Sequence, residues 1–140
     1  MANCWRASVS LVSALVLSMA AAPSVAADEP IRVELNAADP TEGKCRLTFL
    51  MSNPAKIAVE SLKADAALFG SDGVIKRRLA IEFGPLKASK TSIRAFDVDL
   101  ACDALGSVLI NDVVACAPEV LGDCLARLEL SSRTAVKLFK

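Results

Sequence analysis

Four cysteines, Cys45, Cys102, Cys116 and Cys124, constrain this chain more than any other feature. A fifth, Cys4, stands ahead of an uncharged run from Ala7 to Ala22, built mostly of Ala, Val, Leu and Ser. Arg6 precedes that run, and the small residues Pro23-Ser24-Val25-Ala26-Ala27 follow it, before the first acids, Asp28 and Glu29. A basic start, a short apolar core and a small-residue exit are the parts of a secretory signal. The run has 16 residues, short of the ~20 that cross a bilayer as a helix. Residues 1–27 therefore read as a cleaved signal peptide, and 28–140 as one mature domain, periplasmic or secreted. No stable membrane span is expected after cleavage.

An even number of cysteines in an oxidising compartment implies a disulfide framework, here with three possible pairings. Pro118 and Gly122 lie between Cys116 and Cys124 and favour a loop that turns back. Cys116–Cys124 is the expected bridge, which leaves Cys45–Cys102. In the chain-entropy picture the short loop contributes roughly 2–3 kcal/mol and the long one about 4 kcal/mol. There is no C-x-x-C, and the spacings fit no common zinc pattern.

Pattern then sets the fold class. Ile31-Arg32-Val33-Glu34-Leu35 and Cys45-Arg46-Leu47-Thr48-Phe49-Leu50-Met51 alternate in polarity, as half-buried strands do. Asn36 to Gly43, with Asp39-Pro40, reads as a turn. The segment 55–69 admits two readings. Asn53-Pro54 and an Ala-rich body fit a helix, whereas Leu62, Ala64, Ala66 and Leu68 against Lys63 and Asp65 fit a strand. Gly70-Ser71-Asp72-Gly73 and the β-rich run after it favour a hairpin, 61–69 with 74–83. Further strands are expected at 91–98, at 107–116 with Leu109 at its buried centre, at 125–130 and at 134–139. The sum is an all-β, immunoglobulin-like antiparallel β-sandwich of roughly seven to eight strands, stabilised by disulfides.

The hairpin also carries a family resemblance. Ser61-Leu62-Lys63-Ala64-Asp65-Ala66-Ala67-Leu68-Phe69 runs into Asp72-Gly73-Val74-Ile75, then Arg78-Leu79-Ala80 and Phe83-Gly84-Pro85-Leu86-Lys87-Ala88-Ser89-Lys90-Thr91. This resembles the small secreted bacterial sandwich domains of the FxLYD type, in which a strand ends in an aromatic and an acid before a Gly turn. It is more similar still to a group of uncharacterised proteobacterial exported proteins. In these, Cys-containing strands and an Asn-Asp-Val segment, here Asn111-Asp112-Val113, follow the same hairpin. The resemblance implies a fold and a compartment, and brings no catalytic residues.

Composition narrows function by exclusion. The chain has no His and no Tyr, and its one Trp, Trp5, lies in the leader. Without His there is no Ser-His-Asp or Cys-His nucleophile and no His-ligated metal. Residues 28–140 hold 15 Lys and Arg against 16 Asp and Glu, a net charge of −1. With no Tyr or Trp for stacking, nucleic acid is not an expected partner. Lys76-Arg77-Arg78 is the densest charge run, with Lys87, Lys90 and Arg94 near it in sequence. It reads as a candidate interaction face or as charges that guard a strand edge. Asp97, Asp99 and Asp103, with Asp112 further on, lack the Gly and terminal Glu of an EF-hand loop. Ser89 and Lys90 are adjacent, which by itself makes no nucleophile pair. The expectation is a non-enzymatic periplasmic accessory module that binds an envelope protein through a strand edge or loop tips, with no cofactor. The alternative is an envelope protein that carries a ligand or metal.

Intact mass of the exported protein should place the mature N-terminus at Asp28 or Ala27. The same protein should be almost transparent at 280 nm, since Trp5 leaves with the leader. Retention of residues 1–26 would overturn the signal reading.

Overall fold

A computed structural model describes Met1 and residues 29–140; the leader and its cleavage site otherwise lie outside the described residues. Among the described residues eight strands form two four-stranded sheets. They are β1 Ile31–Thr41, β2 Lys44–Asn53, β3 Ser61–Gly70, β4 Ile75–Glu82, β5 Lys90–Val98, β6 Leu105–Ala117, β7 Leu128–Ser132 and β8 Lys137–Phe139. The first sheet has the order β5-β2-β1-β7 and the second β4-β3-β6-β8. The molecule is a disulfide-stabilised β-sandwich, as the alternation predicts.

Period-2 patterning puts one face of each strand into the interlayer space. Ile31, Val33 and Leu35 of β1 meet Cys45, Leu47, Phe49 and Met51 of β2 in the first sheet, all fully buried. Leu62, Ala64, Ala66 and Leu68 of β3 and Val108 and Ile110 of β6 face them from the second. Three rings hold the layers together at the centre. Phe49 sits edge-on to Phe83 at 5.4 Å and to Phe96 at 6.0 Å, and Phe83 meets Phe96 at 6.0 Å. Such pairs contribute ~0.5–1.5 kcal/mol each beyond their area burial.

Both expected disulfides are present. Cys45–Cys102 ties β2 to a short 3-10 turn, Cys102–Ala104, where the chain passes from the first sheet to the second. Cys116–Cys124 ties the end of β6 to a one-turn helix, α1 Cys124–Arg127.

Two sides of the sandwich differ. On one, β7 pairs parallel with β1 and β8 pairs parallel with β6, so the chain steps from sheet to sheet between Ser132 and Lys137 and closes the flank. The Ser132 and Thr134 hydroxyls both bond the Val136 carbonyl in that step. On the other side β4 and β5 are both edge strands.

The segment 55–69 is a short connection and then β3, so the favoured strand reading holds. Three expectations need correction. Asn36–Gly43 is not a turn as a whole: β1 continues to Thr41 past a bulge at Asn36, and the turn is Glu42-Gly43, both at positive φ. Pro40 is tolerated because β7 stops pairing at Leu35, so β1 has one free flank there. The stretch 125–130 begins as α1, because the Asp123 carboxylate accepts the Ala126 N–H and caps a helical turn. Leu109 is half-buried and faces outward, opposite Ala67 and Phe139; Val108 and Ile110 hold the inward positions.

Val108→Asp should therefore unfold the domain, at a cost of about 4 kcal/mol or more, whereas Leu109→Asp should cost only about 1–2 kcal/mol. Thermal melts by circular dichroism separate the two. Equal melting temperatures would reverse the assignment of faces in β6.

Candidate interaction surface

The open side carries the cations that the sequence singles out, and strand register decides where each one points. Arg77 lies opposite Leu68, in the inward register, while Arg78 lies opposite the outward Ala67. Neighbours on a strand point to opposite faces, so the run makes no single basic face. Each cation instead has its own acid. Lys76 Nζ lies 2.7 Å from Asp72, Arg77 Nη2 3.3 Å from Asp99, and Arg78 Nη2 2.6 Å from Asp65.

The Asp65 carboxylate accepts from both Arg78 and the Asn111 side chain, at 2.6 and 2.8 Å. The Arg78 hydrogen bond, then that of Asn111, holds its carboxyl below the usual value. Lys76 does the same to Asp72, helped by the Val74 N–H, and Arg46 to Asp97. Arg46 grips Asp97 with two bonds, at 2.7 and 3.0 Å. Of the acids that cluster in sequence near 97–103, Asp97 and Asp99 are thus assigned to separate cations, Arg46 and Arg77. Among the described residues no three His, Cys, Asp or Glu side chains gather closely enough to hold a metal.

Lys87, Lys90 and Arg94 are near the 76–78 run in sequence but not in space. Lys90 pairs with Asn53 at one end of β2, whereas Val98 pairs with Cys45 at the other. Arg77 belongs to the Cys45 end, since its acid, Asp99, follows Val98. Lys87, Lys90 and Arg94 line a separate recess at the Asn53 end, with Pro85, Thr91 and Ser92.

The base of that recess is pinned. Asn53 is the one buried polar side chain among the described residues. Its Nδ2 donates to the Ile57 carbonyl at 2.9 Å and to the Lys87 carbonyl at 3.3 Å, which joins two connections. Val59 and Leu86 exchange backbone bonds of 2.9 and 2.8 Å between the same connections. Ser89 donates its N–H to the Ala55 carbonyl at 2.9 Å and adopts φ 52°, rare for a residue with a Cβ. Spacing alone gives no sign of this arrangement; only the Asn53-Pro54 break and Gly84-Pro85 mark the two segments that meet.

No known family model, curated protein or solved structure matches this chain.

The lowered Asp65 carboxyl has a pH consequence. Its stabilising effect is complete above the unfolded-state pKa of ~3.9 and disappears as pH falls through the lower folded value. Wild type should melt above Asp65→Asn at pH 7, and the gap should close as pH is taken from about 5 to about 2. A gap that persists at the acid end would show that the Arg78 pair is not its source.

Proposed function

We propose that this chain is a non-catalytic accessory module of the periplasm or extracellular space that engages an envelope protein along the open side of the sandwich. The observation that carries the reading is β4. It is an eight-residue edge strand, exposed along most of its length, with β3 on one flank only. An edge of that kind offers free backbone N–H and C=O groups to an added strand. Lys76, Arg77 and Arg78 lie on it, and their charges set the approach of a partner more than the stability of the fold. Two disulfides support a compartment outside the cytoplasm. Among the described residues no helix is long and apolar enough to cross a membrane.

A photo-crosslinker placed at Ala80 on β4 should capture the same envelope protein that wild type recovers from periplasm, and one at Glu129 on β7 should not. Changing Lys76, Arg77 and Arg78 together to Ala should leave the circular dichroism spectrum intact and lower that recovery several-fold. The loss should resemble the effect of raising salt from ~0.05 to ~0.5 M, since exposed charges are screened within ~10 Å at 0.1 M. Capture at Glu129 alone, or full recovery by the triple variant at every salt concentration, would overturn the reading.

A further inference from the structure

Surface recesses on this molecule differ in charge balance. One between β4 and β5 is lined by Arg77 and Arg78 but also by Asp97 and Asp99. One beside α1 holds Asp123 with Lys140, and one near the Cys102 turn holds Asp103 with Lys137. The recess at the Asn53 end is unlike these. Its lining has three cations, Lys87, Lys90 and Arg94, two hydroxyls, Thr91 and Ser92, and no carboxylate. Among the described residues the ion pairs within 4.0 Å involve Arg32, Arg46, Lys76, Arg77, Arg78 and Arg133, and none of these three.

We propose that this recess is a binding site for a phosphate-type oxyanion. Three like charges around one hollow repel one another, and among the described residues no carboxylate lines the hollow to offset them. Arg94 is held in place: its guanidinium donates to the Pro85 carbonyl at 2.9 Å and to the Ile93 carbonyl at 3.1 Å. A guanidinium has five N–H donors, so three stay available to a ligand. Each ammonium adds three more as a point charge without fixed direction. A tetrahedral oxyanion presents oxygens to donors on several sides at once, whereas a carboxylate presents two in one plane. The three cationic groups and the Ser92 hydroxyl match the former, while Thr91 turns its hydroxyl to Ser52 on the other face of β5.

The site is built before any ligand arrives. Leu86 is buried in the core, Asn53 holds the Lys87 carbonyl, and the Ala55 carbonyl holds the N–H of left-handed Ser89. Lys87 and Lys90 therefore stand on a fixed backbone, and Arg94 stands on β5. Cations whose backbones are already positioned lose less freedom on binding than cations on a mobile loop. The recess, about 360 Å³, falls within the ~300–1,000 Å³ range of small-ligand sites. It is open enough to take a free phosphate or the phosphate of a lipid headgroup. The proposal stands apart from strand addition on β4, because the residues are at the other end of the open side.

The test uses the mature protein in solution. Inorganic phosphate, titrated at constant ionic strength against chloride, should give saturable NMR shifts confined to residues 85–94. Lys87→Gln with Lys90→Gln should weaken that binding about tenfold or more, as expected for lost charge-assisted bonds. Both lysines are exposed, so this variant should fold as wild type does. Arg94→Lys, which keeps the charge and loses the fork, should weaken binding as well. In a second arm, vesicles containing phosphatidic acid are compared with vesicles of phosphatidylcholine. Binding to the former that inorganic phosphate displaces identifies the headgroup as the source, and phosphate binding without vesicle binding identifies the free ion. Absence of saturable shifts, or shifts of equal size at Lys44 and Lys63, would overturn the proposal.

Discussion

The inward face of β2 runs from a disulfide to an amide. Cys45, Leu47, Phe49, Met51 and Asn53 are all buried, and together they fix both ends and the middle of the molecule. At one end Cys45 is bonded to Cys102, which anchors the passage between sheets. At the centre Phe49 is the ring that Phe83 and Phe96 both pack against. At the other end the Asn53 amide holds the two connections that frame the basic recess. A polar group so deeply buried is stable only while its hydrogen bonds are made. Asn53 thus fixes the loop geometry in a way that an apolar residue of the same size could not. The surface features follow from this spine. β5 hangs on the outer flank of β2 and brings Lys90 to one end and Asp97 towards the other, while Arg94, opposite Phe49, reaches the Pro85 carbonyl with its guanidinium.

Legibility in the sequence varied with how local the deciding physics is. The hairpin of β3 and β4 was readable because its turn residues and alternation lie within one short window. The disulfide pairing was readable from the loop residues between Cys116 and Cys124. β6 was readable as a strand but not in its facing. Its pairing with β3 shifts register at three places, and each slip changes which residues face inward. An unbroken apolar run such as Val108-Leu109-Ile110 has no polar residue to mark the outer side. Pro40 misled for a related reason, since its tolerance depends on where β7 ends, which is a fact of tertiary structure. The parallel pairing of β7 and β8 has no local signature at all.

Charge was the least local property. Lys76, Arg77 and Arg78 are consecutive, yet their acids come from the adjoining turn, from the connection after β5 and from β3. Composition counts these cations and acids correctly but cannot match them. What sets Lys87, Lys90 and Arg94 apart is that they line one recess with no carboxylate, a matter of folded geometry. Leu86 to Lys90 looks like a polar connection because the Asn53 amide and the Val59 and Ala55 backbone that hold it come from elsewhere in the chain.

The parallel pairings at the closed side bear on the order in which the molecule can form. β1 needs β7, and β6 needs β8, which ends at the penultimate residue. A chain released N-terminus first, from a ribosome or a translocation pore, can make the β1–β2 and β3–β4 hairpins early. It cannot complete the first sheet until Leu128–Ser132 is free, nor the second until Lys137–Phe139 is. Contacts this distant in sequence slow folding. Each sheet is thus closed by a strand from beyond residue 127 that returns to one laid down earlier, β7 to Ile31–Leu35 and β8 to Ser107–Leu109, so the closed flank is a product of long-range pairing rather than of hairpins.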